Sequence, residues 1–204
     1  MQIVIKKIQS IIDGGGTVKL NLGAGNTRIP DFLSVDLVDL PGVDIVADLN
    51  KPLDLIPDSS VSAIFSQHSF EHLENFMGLM NELHRICAAD AEIIIIVPHF
   101  SYPFYYSDPT HKQHFGLYTM HYFMDEIDQP VRKVPSFYTK ARFDLVGIKI
   151  EFIREKIIDK LIEPIVSRIV NMGYKTQDIY ERRFCYVYPA WQIRYTLLNK
   201  NEGP

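Results

Sequence analysis

Apolar residues in the first hundred positions come in short runs. Turn-forming glycine, proline, asparagine or aspartate separates them, and the runs read as strands. The pattern predicts strands over 18–22, 33–37, 44–47, 63–66 and 93–97. The last of these, IIIIV, is continuous and β-branched, which implies burial on both faces and a parallel sheet. A short helix over 3–12 precedes the first strand and stops at Gly14-Gly15-Gly16. Between the fourth and fifth strands, Phe76, Met80, Leu83 and Cys87 recur at helical spacing within a helix of about 74–87. Strand, helix, strand is the right-handed crossover of an α/β fold. After residue 97 the regularity stops, and HFSYPFYYSDPTHKQHF reads as a long loop. A short helix at about 119–126, an alternating strand over 143–153, an amphipathic helix over 155–172 interrupted at Pro164, and a final strand over 190–198 complete the chain. One domain spans 1–204, with a histidine- and aromatic-rich loop at 98–123 and a helical insertion at about 155–185.

Composition narrows the class. At 47% hydrophobic and 23% charged, the 204 residues have enough apolar content for a core, so disorder is excluded as the main state. No apolar run reaches the roughly 20 residues of a membrane span, and the opening residues lack the basic-then-apolar order of a signal peptide. Two cysteines, Cys87 and Cys185, cannot make a disulfide framework, and a reducing cytoplasm is the simplest home. The net charge of −4 divides unevenly: residues 1–100 carry 6 Lys/Arg against 13 Asp/Glu, and residues 101–204 carry 15 against 12. That basic excess is too weak and dispersed for a surface that tracks nucleic-acid phosphates.

The informative segment is VKLNLGAGNTRIPDFLSVDL, beginning at Val18. A strand ends in Gly23-Ala24-Gly25, where glycines let backbone approach a ligand closely. Asp36 follows at the end of the next strand, where a carboxylate can accept both hydroxyls of a ribose. The third glycine of the dinucleotide fingerprint is missing, since Asn26-Thr27-Arg28 follows, so a ligand with a ribose and no phosphate fits better. Asp48-Leu49 follows the third strand, where an acid can bond an adenine amino group. The run from Ser66 to His72 follows the fourth. All these positions fall at carboxyl ends of parallel strands, where open sheets bind ligands.

The pieces LNLGAG, SVDL, VADL, FSQHSFEHL and IIIIVP together resemble the class I S-adenosylmethionine-dependent methyltransferases. The nearest resemblance is to a small group with the pattern LNLGxG…VD…EHL…VP…DPTH. It covers about residues 17–125 and, more loosely, the last strand. It implies a Rossmann-like α/β fold: a seven-stranded, mostly parallel sheet with its last strand antiparallel and helices on both faces. It also implies a cofactor-binding set. Gly23, Ala24 and Gly25 flank the methionine part and Asp36 takes the ribose. Asp48 and Leu49 border the adenine, Gln67 and His68 close the site, and Leu22 and Leu37 complete the set. The chain departs from the pattern in places. Ala88-Ala89-Asp90-Ala91 replaces the usual Pro-Gly-Gly, and Asp90 can make the turn in a left-handed conformation. Pro30 cuts short the helix after the glycine loop, leaving the cofactor less enclosed there.

Candidate catalysts cluster after the fifth strand, where His99, His111, His114 and His121 lie close together in sequence. Asp108 can orient a histidine as the acid of a triad does. His111 is the first choice as base or acceptor-positioning residue, with His114 and His99 next. For each histidine alone, the plainer reading is a loop residue bonding a backbone carbonyl. His111-x-x-His114 with His99 or Asp108 suits zinc loosely, but no cysteine pair accompanies it, and no metal is assigned. Phe100, Tyr102, Phe104, Tyr105 and Tyr106 can wall an acceptor pocket or pack as a lid. Glu71-His72 reads first as bonding of a helix start, with a site role second. Cys185, with basic neighbours, is either activated or a buried small hydrophobe, the latter favoured.

The expected function is S-adenosylmethionine-dependent transfer of a methyl group to a small-molecule or glycan acceptor, at oxygen. Resembling proteins often serve surface-polysaccharide pathways, which supports the glycan. The alternatives are an inactive cofactor-binding protein and, behind it, a nucleotide-dependent oxidoreductase. Ile157, Ile158, Leu161, Ile162, Ile165, Val166, Ile169 and Val170 form one wide stripe. About half of it is expected to cover the sheet and the remainder to make a homodimer through 155–172.

Overall fold

The computed structural model describes residues 2–200, with side chains from residue 8 onward. In chain order the elements are α1 (Gln2–Asp13), β1 (Val18–Leu22), β2 (Leu33–Asp36), β3 (Ile45–Val46), β4 (Val61–Gln67), α2 (Phe76–Ile86), β5 (Cys87–Pro98), β6 (Phe143–Glu151), α3 (Ile157–Val170), α4 (Tyr174–Arg183) and β7 (Gln192–Asn199). The strands form one seven-stranded sheet in the order β3-β2-β1-β4-β5-β7-β6. β1 to β5 pair in parallel, and β7 runs antiparallel to both β5 and β6. Six strands therefore share a direction and the last is reversed, as the sequence leads one to expect.

Burial follows the apolar pattern. Ile93, Ile95, Ile96 and Val97 of β5 are all buried, as are Leu20, Asn21 and Leu22 of β1, so the centre of the sheet is covered on both faces. α2 adds Phe76, Leu79, Met80, Leu83 and Ile86 to the same core. β4 and β5 are longer than the runs that predicted them, because Val61 pairs with Cys87 and Ala63 with Glu92. β5 advances five residues while β4 advances two, so residues 88–91 bulge from the ladder. Asp90 makes this turn at φ 58°, in the left-handed region.

The helical segments also differ from expectation. α2 begins at Phe76 rather than residue 74, because the Asn75 side chain accepts the Gly78 N–H (3.1 Å) and caps the helix there. No helix joins β1 to β2; residues 23–32 cross as turns around Pro30. The insertion resolves into two helices, and Pro164 lies inside α3 without ending it. Proline removes a single N–H there, and the helix is fastened at both ends. Asp159 accepts the Lys156 N–H at 2.9 Å, and Asn171 Nδ2 donates to the carbonyls of Ser167 and Ile150 at 2.9 and 2.8 Å.

The stripe on α3 corrects its expected direction. Only Val170 is buried and Val166 packs against the core, while Ile157, Ile158, Leu161, Ile162, Ile165 and Ile169 face outward. Among the described residues no helix is long and apolar enough to cross a membrane.

Candidate functional site

A cavity of about 330 Å³ opens where β1, β2, β3 and β4 end, lined by residues that follow each strand. Gly23 and Gly25 turn the chain out of β1 with φ of 65° and 50°. A Cβ on Gly23 would fall 2.0 Å from Ser69 Oγ, so no larger residue fits between the loop and the end of β4. The loop is braced from below by Asn21, whose amide donates to the Thr27 carbonyl (3.1 Å). The Arg28 guanidinium donates to the carbonyls of Gly25 and Pro41, tying the loop to the β2–β3 turn.

Asp36 faces this loop. Its Oδ2 accepts the Gly25 N–H at 2.7 Å and its Oδ1 accepts the Val38 N–H at 3.0 Å. A carboxylate has about four acceptor positions, so the orientation is fixed while capacity remains for a ligand. Asp48 Oδ1 accepts the backbone N–H and side-chain amide of Asn50 at 3.0 and 3.2 Å. The backbone bond is the main cause holding this carboxyl below its usual range. Leu37, Leu49, Asn50, His68, Ser69, His72 and Leu73 complete the wall. His68 adopts φ 51°, a strained conformation for a non-glycine residue, of the sort that concentrates at functional positions.

Behind His68 and His72 lies a polar cluster. Phe70–His72 forms a 3-10 turn, and Glu71 within it is buried. The Glu71 carbonyl accepts the N–H groups of Lys112 (2.7 Å) and Gln113 (3.0 Å), which folds the loop after β5 back onto the end of β4. That fold-back brings His111 beside His72, with ring centroids 4.9 Å apart. Glu71, His72 and His111 each offer one ligand-type atom, all within 4.8 Å of one another. Glu71 Oε1 lies 3.6 Å from His68 Nδ1 and 3.9 Å from His72 Nε2. Glu71 Oε2 and the buried Tyr105 hydroxyl have no hydrogen-bond partner among the described residues. Burial first, and then the Glu71 charge, push the Tyr105 hydroxyl up to about 12.

The structure sorts the sequence candidates. Gly23, Gly25, Asp36, Leu37, Asp48, Leu49 and His68 meet on one cavity wall, whereas Leu22, Ala24 and Gln67 stay off it. Leu22, the last residue of β1, and Ala24, within the loop, are buried, and Gln67 is exposed at the end of β4. His111 and Asp108 are not on the wall: His111 packs against the wall residue His72, and its Nε2 is 3.7 Å from Oδ2 of the exposed Asp108. His114 is exposed and packs beside Tyr105 and Tyr106. His99 is fully buried and does not line the wall. Its Nδ1 accepts the Ser101 N–H (3.1 Å), so Nε2 carries the proton and donates to Glu181 (3.0 Å), a structural arrangement. His121 is likewise buried, against Tyr174.

Glu71-His72 does not bond the start of α2, a task that Asn75 performs. The aromatic loop makes no single wall. Tyr105 is buried, Phe104 and Tyr106 are exposed, and Tyr102 and Phe104 border a separate cavity with Ile153 and Tyr188. Cys185 is buried, donates to the Glu181 carbonyl, and has its thiol pushed up by burial, which removes the activated reading. Asn50, Ser69, His72 and Leu73 join the wall without being singled out in sequence as cofactor contacts; only the position after strands β3 and β4 signals them.

No protein-family model and no curated protein sequence matches this chain. Solved structures do. The YcgJ protein from Bacillus subtilis is 13% identical over 96% of this chain and 98% of its own, with a TM-score of 0.51. An S-adenosylmethionine-dependent methyltransferase from Mesorhizobium loti is 11% identical over 95% of this chain and 96% of its own, also with a TM-score of 0.51. The fold is thus the Rossmann-like fold of such methyltransferases.

Proposed function

We propose that the chain is an S-adenosylmethionine-dependent methyltransferase acting on an oxygen of a small-molecule or glycan acceptor. The observation that carries this is the convergence of Gly23, Gly25, Asp36, Asp48 and Leu49 on one cavity at the carboxyl ends of the parallel strands. The cavity fits such a cofactor. Gly23 leaves no side chain against Ser69, the oriented Asp36 carboxylate suits a ribose diol, and Leu49 beside Asp48 suits a flat base with an amino group. When bound, the cofactor would supply an electrophilic sulfonium methyl: an acceptor oxygen would form the new C–O bond as the S–C pair returns to sulfur, with the hydroxyl proton passing to a base.

His68 supplies an imidazole on the wall for that proton, and His72 flanks it. Phe104 and Tyr106, exposed on the loop after β5, offer faces on which a sugar ring can pack. Thermal unfolding of the protein with S-adenosylmethionine, S-adenosylhomocysteine and NAD tests the reading. A ligand at 100 times its dissociation constant adds about 2.7 kcal/mol. Stabilisation by the first two and not by NAD is expected. Stabilisation by NAD alone would replace the proposal with a nucleotide-dependent oxidoreductase.

A further inference from the structure

The histidines beside Glu71 have their tautomers set by their neighbours. His111 Nδ1 lies 2.9 Å from the Tyr105 carbonyl, which can only accept, so Nδ1 carries the proton of the neutral ring and leaves Nε2 its lone pair. Thr110 donates its single hydroxyl hydrogen to Asp108 Oδ1 at 2.6 Å. Its oxygen, 2.9 Å from His72 Nδ1, must therefore accept from that nitrogen, and in the neutral ring His72 Nε2 likewise keeps its lone pair. One ligand-type atom from each of His72, His111 and the buried Glu71 carboxylate lies within 4.8 Å of the other two, and Asp108 Oδ2 is 3.7 Å from His111 Nε2. No hydrogen bond joins His72 to the carboxylate: its Nε2 is 3.9 Å from Glu71 Oε1, beyond hydrogen-bond reach. A buried carboxylate with an oxygen that has no hydrogen-bond partner among the described residues is unfavourable unless positive charge stands beside it.

We infer that Glu71, His72 and His111 form a binding site for one divalent transition-metal cation of the zinc class, at the edge of the cofactor cavity. Two imidazole nitrogens and one carboxylate are the ligand set of such ions, whereas magnesium and calcium prefer oxygen alone. Bonds of about 2.0–2.2 Å draw the three atoms together around the ion and leave coordination positions open. The surroundings are those of a metal site. Each ligating histidine donates its other N–H to a carbonyl or to a hydroxyl held by a carboxylate, which fixes the ring and raises its basicity. Glu71 Oε2 and the Tyr105 hydroxyl, both buried, are polar groups that the cation and its bound oxygen can satisfy. Since His72 also lines the cofactor cavity, the open positions take the hydroxyl oxygen of the acceptor, a role that rests on the function proposed above.

The test uses the full chain stripped with EDTA and titrated with cobalt(II), with visible absorption as the signal and zinc as competitor. One equivalent of cobalt with d–d bands displaced by zinc is expected. His72→Ala and His111→Ala should each abolish the bands. Thr110→Val, on the exposed side of the site, should weaken binding about 10–100-fold. Circular dichroism establishes that each variant is folded. Failure of the wild type to bind cobalt at 1:1, or unchanged affinity in the folded His72→Ala, His111→Ala double variant, overturns the site. S-adenosylhomocysteine binding is measured on the same stripped protein. Retained nucleoside binding without cobalt binding sinks only the cation site, and cobalt binding without nucleoside binding sinks only the methyltransferase reading.

Discussion

Asp36 performs two tasks with one side chain: it holds the Gly25 and Val38 N–H groups, and it presents its remaining acceptor capacity to the cavity. Asp36→Ala removes a charged partner from the ligand and unties the glycine loop at once. A hydrogen bond to a charged group contributes roughly 1.5–3 kcal/mol, so cofactor affinity should fall about tenfold or more. Calorimetric titration is the check, and unchanged affinity in a folded variant would take Asp36 out of the site. This residue and the glycines were legible in the sequence because their roles are local: a positive φ, a strand end, a carboxylate one strand over. The group formed by Glu71, His72 and His111 was not. It exists only because the Glu71 carbonyl captures the N–H groups of Lys112 and Gln113, a long-range bond with no local signature. Sequence could not separate His99 from His111 either. Partners decide: Glu181 and Ser101 occupy both nitrogens of one ring, while the other keeps a nitrogen without a hydrogen bond among the described residues.

At the scale of elements, α2 does more than cover the sheet. Glu82 Oε2 accepts the Leu53 N–H and an Arg85 N–H, both at 2.8 Å. Arg85 also donates to the carbonyls of Leu53 and Ile56 and pairs with Asp58. These bonds clamp the irregular segment between β3 and β4, which has no helix of its own. Hydrogen bonds from Arg85 are the main cause holding the Glu82 carboxyl below its ordinary value of 4.5. A carboxyl depressed in the folded state stabilises fully above its unfolded value and loses that contribution as pH falls through the folded one. Glu82→Gln should therefore lower stability by about 1 kcal/mol at neutral pH. The gap from wild type should close as the pH drops below 4.5, and denaturant melts across that range measure it. A gap that persists in acid would mean packing, not charge, holds the clamp. The strands were readable wherever an apolar run was unbroken. The first part of β5 was missed because the bulge at residues 88–91 interrupts its alternation with polar and small residues.

For the whole molecule, the unresolved demand is apolar surface on α3. The stripe itself was plain in the sequence, but not the way it would face. The residue α3 turns fully inward beside Val170 is Glu163, which pairs with Arg154 and is thereby tolerated in the interior. Ile157, Leu161, Ile165 and Ile169 are left 54–80% exposed. They continue into a cavity of about 310 Å³ between α3 and α4, whose walls include Val166, Ile179, Phe184 and Val187. A contiguous apolar face of this kind is seldom left to water. Glu155, Asp159, Lys160 and Arg168 on the same segment are mixed in sign, without the basic bias of a helix that lies on a membrane. A second copy of the chain offers the same face, and a two-fold axis lets each cover the other. Light scattering should therefore give the mass of a dimer. Ile162→Asp combined with Ile169→Asp should give a soluble monomer with cofactor binding intact, since neither residue lines the cofactor cavity. A wild type that stays monomeric at high concentration would end the dimer proposal and leave the α3 face to the acceptor or another partner.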